Sequence, residues 1–173
     1  MNVSPLLLLT AFSVIASALV AGVFLAFSEL VMRSLHKAER PAGIEAMQII
    51  NREVFKTLFM VLLIGMAFVS VALIWLGWTF WQGTPSYWII AGGVIYLLVT
   101  FVVTLAGNVP LNVKLDGLAH TDPKTATYWS HSFYKHWIIF NHIRTLGAAV
   151  ASCCFLLACL TKTNTLTTQE III

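Results

Sequence analysis

The sequence predicts an all-α fold: a four-transmembrane-helix bundle forming one integral membrane domain over residues 1–173, with both termini extracytoplasmic. Three observations carry it. Hydrophobic residues make up 59% of the chain and charged residues only 10%, against roughly one quarter charged in soluble domains. No charged side chain falls between Thr57 and Val113. The chain divides into apolar runs, at about 5–32, 54–81, 87–108 and 136–160, each long enough to cross a hydrocarbon core as a helix that pairs its backbone polar groups internally.

The first run contains Ala16-Ser17-Ala18, which resembles a signal cleavage site. No Lys or Arg precedes it, however, and its apolar stretch reaches Phe27, beyond a signal core of about 7–15 residues, so it is expected to be a retained helix. Ala18, Gly22, Ala26 and Glu29 recur at steps of four, four and three and share one stripe. Small residues on a stripe permit close helix contact. This stripe is therefore expected to be the inward seam, with Glu29 facing the interior near the cytoplasmic end. The alternative pairs Glu29 with Arg33 one turn on, at headgroup level.

Arg40-Pro41 opens a helix ahead of the second span, with proline where its missing donor costs nothing. Ile44, Met47, Asn51, Val54 and Leu58 then recur at threes and fours, so Asn51 lies within an apolar face. An amide there needs a partner, which is either a neighbouring helix or a ligand. Arg52 and Glu53 project elsewhere and read as solvated charges.

The third span follows the uncharged hairpin 82–86 and ends in GNVPLNVKLDGL, residues 107–118, with Asn108 and Asn112 placed around Pro110. Proline is expected to interrupt the helix and free carbonyls near Ala106, leaving both asparagines on one face across the break. The alternative makes Asn108 the cap of a new helix.

In the fourth span Trp137, Asn141, Arg144, Ala148 and Ala151 fall at steps of four, three, four and three. Arg144 is then an inward cation, costly unless paired with Glu29 or with an anionic ligand. His142 lies on another face and reads more readily as a hydrogen-bonding residue than as a metal ligand. Cys153, Cys154 and Cys159 read as small buried hydrophobes. Nothing in the tail from Thr161 to Ile173 reads as chemistry.

Arg33, Lys37, Arg40, Arg52 and Lys56 flank the first connection, and Lys114, Lys124, Lys135 and Arg144 the second. The positive-inside bias makes both connections cytoplasmic. The net charge of +3 follows from that topology and points to no nucleic-acid partner. His120, His131, His136 and His142, with Glu29 and Asp116, supply donors for a metal ion, but without H-x-x-x-H or E-x-x-H spacing. No metal ligand is assigned and no cofactor is expected, a metal-dependent oxygenase remaining an alternative.

GVFLAFSELVMRSL in the first helix, AMQIIN before the second, the NVPLN turn and the pattern of Trp137 with NHIRT at 141–145 resemble the anthrone oxygenase-like family of small integral membrane proteins, over essentially the whole chain. The resemblance implies a four-helix membrane fold. Members with an assigned activity oxidise anthrones to anthraquinones with molecular oxygen, so it also implies a membrane-embedded oxygenase for a lipophilic aromatic or enolisable substrate. Such chemistry asks for a base, with Glu29 first and His142 second, and for donors to an enolate oxygen from Asn112, Asn141 and Arg144. Asn51, Asn108 and Trp137 complete the expected substrate wall. The expected partners are a lipophilic small molecule and the bilayer, with a homo-oligomer possible. The alternative function is a non-enzymatic binder or carrier of a small hydrophobic anion, or a membrane assembly partner, using Arg144 and the asparagines without a base.

Overall fold

The computed structural model describes residues 4–171, and among them the chain forms five helices and no strand. These are α1 (Pro5–Lys37), α2 (Arg40–Glu53), α3 (Leu58–Phe80), α4 (Thr84–Asp116) and α5 (Pro123–Asn164), the last lying within helical backbone that continues through Tyr134–Ile171. All but α2 are long and apolar enough to cross a membrane, and the all-α expectation holds. Around the bundle α1 packs on α3 and α5, and α4 packs on the same two. Helix α2 packs on the end of α1, the end of α4 and the start of α5. There it covers a second small core of Met32, Ile44, Met47, Leu115, Trp129, Phe133 and Trp137. Arg33, Arg40, Arg52, Lys56 and Lys114 gather at this end, the basic end of the bundle.

Three local expectations are corrected. The stripe from Ile44 to Leu58 does not run on into the second span. Val54–Lys56 form a tight turn, and Thr57 is extended at φ −104° and ψ 154°. Its hydroxyl donates to the Val54 carbonyl at 2.6 Å and accepts from the Met60 amide at 3.4 Å, a local alternative to helix continuation that caps α3 instead. Ile44, Met47 and Asn51 are accordingly buried, while Leu58 is 73% exposed.

In α1 the inward face is not the small-residue stripe. Ala18, Gly22, Ala26 and Glu29 are exposed, and the buried residues are Thr10, Ser13, Ala16, Ser17, Val20, Ala21, Phe24, Ser28 and Met32. Thr10 and Ser13 donate to the carbonyls of Leu6 and Leu9 at 2.7 and 2.8 Å. Hydroxyls satisfied by their own helix are readily buried. Small apolar residues gain nothing from leaving lipid, so their spacing did not mark the interior.

Helix α4 does not break at Pro110. The turns Tyr96–Val102 and Thr104–Asn108 are widened π turns, and Pro110 sits in the first turn of the α-helical stretch Val109–Asp116. A widened turn immediately ahead accommodates a ring that would clash with a regular preceding turn. Asn108 makes no side-chain cap hydrogen bond. Two further wide turns, Phe27–Val31 and Trp129–Phe133, interrupt α1 and α5.

The α5 stripe is as expected, with Trp137, Asn141, Arg144, Ala148 and Ala151 all buried. Cys154 is buried, but Cys153 is exposed on the bundle surface. Ile172 and Ile173 lie outside the described residues. Close approach of α4 and α5 depends on Gly147: a Cβ there would stand 2.8 Å from both Thr100 Oγ1 and Val99 Cγ1. Gly147→Val is expected to cost about 1–3 kcal/mol by overpacking, read as a lower thermal midpoint in detergent, whereas Gly22→Ala, with open space around it, should leave that midpoint unmoved.

Candidate functional site

Asn141 on α5 ties two helices together. Its amide donates to the Phe24 carbonyl and the Ser28 hydroxyl of α1, just where α1 widens at Phe27–Val31, and its oxygen accepts from Arg144 Nη2. Arg144 also reaches Thr104 Oγ1 on α4 at 3.4 Å. Its guanidinium carbon lies 4.1 Å from the centroid of the Phe24 ring and 5.6 Å from that of Trp137, the geometry of cation–π contact. Arg144 is 5% exposed, and among the described residues no acidic side chain forms an ion pair with it.

The paired asparagines around Pro110 both hold Trp137. Asn108 donates to the Trp137 carbonyl at 3.1 Å, and Asn112 accepts from the Trp137 indole N–H at 2.9 Å. One fixes the backbone of α5 and the other the ring, so the indole is held from α4 in a single orientation.

These groups line one cavity of about 490 Å³. Asn51, Asn108, Asn112, Trp137, Asn141 and Arg144 are on its wall, with Thr104, Arg52 and Asp116. The remaining lining is apolar and comes from α1 (Phe24, Phe27), α2 (Met47), α3 (Phe59, Leu63) and α4 (Phe101, Leu105). Three buried polar atoms on this wall have no partner: Asn51 Nδ2, Asn108 Oδ1 and Arg144 Nε. Buried polar groups are almost always satisfied, so two orphaned donors and one orphaned acceptor set this wall apart from the rest of the largely apolar lining.

Glu29 does not belong to this set. Its expected inward placement is wrong: the side chain is 45% exposed, pairs with Arg33 at 2.9 Å and lies 3.8 Å from His142. Its neighbour Ser28, not Glu29, faces Asn141. His142 likewise stands off the cavity, and the expected pairing of Glu29 with Arg144 does not form. The carboxylate that does reach the wall is that of Asp116, joined to Arg52 at 2.8 Å at the basic end. Among the described residues no group of three or more His, Cys, Asp or Glu side chains is placed to hold a metal ion.

Phe24, Ser28 and Thr104 are cavity or contact residues that the sequence did not single out, and Asp116, named there only among donors for a metal ion, lines the cavity. Two signals pointed to them: the hydroxyl row of α1 ending at Ser28, and the series Thr100, Thr104, Asn108, Asn112, spaced by fours along α4.

The family model of anthrone oxygenase matches residues 52–154, which include Asn108, Asn112, Asp116, Trp137, Asn141 and Arg144. No curated protein and no solved structure matches the chain. More than half of the sequence is matched, and with it the cavity wall built by α4 and α5; this membrane protein belongs to the anthrone oxygenase family.

Proposed function

We propose that the protein is a multi-pass membrane oxygenase that oxidises a lipophilic, enolisable aromatic ketone of the anthrone type with molecular oxygen, in the cavity beneath Arg144. The observation that supports this reading above all is a buried guanidinium with no acidic partner, set against aromatic rings in an apolar cavity. A buried unpaired cation is costly. The cost falls when an anion forms beside it, so the site favours the enolate over the neutral ketone that enters, which is differential stabilisation of the charged species. Asn51 and Arg144 Nε donate to the enolate oxygen, and Phe24 and Trp137 give flat surfaces to the ring.

The remaining steps follow from the substrate. Its methylene gives up a proton, and the carbanion transfers one electron to oxygen. The resulting pair closes a C–O bond, and the hydroperoxide loses water to leave a second carbonyl. One ketone and one O2 give one quinone and one water, with all four electrons that reduce O2 supplied by the substrate methylene. In this reading the proton acceptor is Asp116, since Glu29 and His142 stand off the cavity. Its solvent-exposed side passes the proton on to water, while Arg52 holds the carboxylate in place. In this reading the basic end faces the cytoplasm, across a cell or inner membrane, in keeping with the positive-inside bias.

The test is oxygen uptake by purified protein given a simple anthrone, corrected for spontaneous oxidation. Asp116→Asn is expected to lower the protein-dependent rate by about 10²–10⁴-fold, the span of a general base, while ligand retention persists. Arg144 would equally serve a binder or carrier of hydrophobic anions. That second reading is favoured if wild-type protein retains the ligand but adds nothing to the spontaneous rate.

A further inference from the structure

The cavity has two kinds of edge. Arg52 and Asp116 mark the edge at the basic end. The other edge is apolar and lateral. Ile64 on α3 and Leu105 and Val113 on α4 line the cavity yet are 40%, 53% and 68% exposed. A residue that is both cavity wall and bundle surface marks an opening, and the surface of this bundle at its apolar spans faces lipid. Leu105, Val109 and Val113 follow at steps of four and form one rail along α4, about 12 Å long at 1.5 Å per residue. Met60 and Ile64 form the rail on α3. Neither rail carries a polar side chain, so the slot between them suits methylene or isoprenoid groups. The same cavity is lined by Asn51, Asn108 and Arg144, whose Nδ2, Oδ1 and Nε are buried without a partner on residues 9%, 1% and 5% exposed, the groups an oxygenated head would meet.

We propose that the molecule this cavity takes is a membrane-anchored one: an oxygen-bearing aromatic ring whose long alkyl or isoprenoid tail leaves the bundle between α3 and α4. The inference rests on the reading that an oxygenated ring sits at Arg144, and it narrows the substrate class from any compact polycycle to tailed rings resident in the bilayer. The tail gains little hydrophobic free energy by moving from lipid to slot, because both are apolar. The slot instead lets the head descend to Arg144 without dragging the tail into the bundle, where packing leaves it no room.

The experiment uses the full-length protein in lipid nanodiscs and two unreactive, product-like probes, methyl-anthraquinone and decyl-anthraquinone. Retention is measured by absorbance against empty nanodiscs. Leu105→Trp and Val109→Trp narrow the slot. Both are expected to weaken retention of the decyl probe by about tenfold or more while changing that of the methyl probe by less than about threefold. Equal losses for both probes, or unchanged retention of the decyl probe, overturn the tail. Arg144→Gln should weaken both probes together. If it changes neither, or if wild-type protein retains neither probe, the ring-at-Arg144 reading fails and the tail proposal with it. Leu105 is exposed at the bundle surface, so its tryptophan variant retains the fold even if the Val109 variant does not.

Discussion

Arg144→Met is expected to remove protein-dependent oxidation and at the same time to make the protein harder to unfold. The two effects have one cause. Arg144 is buried with no acidic partner, so its charge is held away from water at a cost that its two hydrogen bonds and its contact with Phe24 only partly offset. Methionine has a similar length and no charge to desolvate. Exchanging buried charges for packed apolar side chains is often neutral or stabilising, by about 1–4 kcal/mol. At about 2–4 °C per kcal/mol for a chain of this size, the thermal midpoint should rise by several degrees. Removing a donor to a developing oxyanion typically lowers turnover by about 10²–10³-fold. Thermal scanning and oxygen uptake on the same preparation check both signs. A variant that loses activity and stability together would make Arg144 a structural strut and remove it from the site.

Asn141 should behave in the opposite manner. It holds Phe24, Ser28 and Arg144 at once, so Asn141→Leu strands a hydroxyl and a guanidinium inside the bundle. Hydrogen bonds between membrane helices are individually modest, but leaving several buried groups unpaired costs about 1–3 kcal/mol, and the midpoint should fall. Asn141→Asp keeps the contacts that accept and changes the charge: a carboxylate accepts from Arg144 and from the Ser28 hydroxyl but loses the bond donated to the Phe24 carbonyl. The midpoint should fall less than in Asn141→Leu, while the neutralised Arg144 retains an anionic ligand no better than Arg144→Gln does. Retention at the wild-type level in Asn141→Asp would show that the charge of Arg144 is not what the ligand meets.

The α5 stripe was legible because amide and guanidinium side chains are too costly in lipid to face outward, so their spacing fixed the buried face by itself. The stripe of α1 misled because Ala and Gly carry no such penalty. A bilayer tolerates them on either side, and the hydroxyls at Thr10, Ser13 and Ser28 were the better guide. Asn108 and Asn112 were rightly placed on one face, although the break expected between them does not occur. Proline's effect depends on the width of the turn before it, which no residue type announces. Asp116 was weighed only among donors for a metal ion, because nothing in its local sequence ties it to the asparagines of α4, and only the tertiary arrangement brings it to the cavity.

The wide turns of α4 also settle how its polar row is laid out. In a regular α-helix a series spaced by fours advances about 40° per step, and Thr100, Thr104, Asn108 and Asn112 would wind through about 120°. A turn closed five residues back holds more residues and lags where the α-helix leads. Mixing the two brings the series back toward a straight line parallel to the axis. Thr104, Asn108 and Asn112 therefore stay on the cavity wall, while Leu105 and Val113 beside them remain at the surface. Register, more than composition, is then the coordinate on which this site is built. The loss of one residue from the regular α-helical stretch between Val109 and Leu111 would rotate Asn112 by about 100° and carry it away from Trp137.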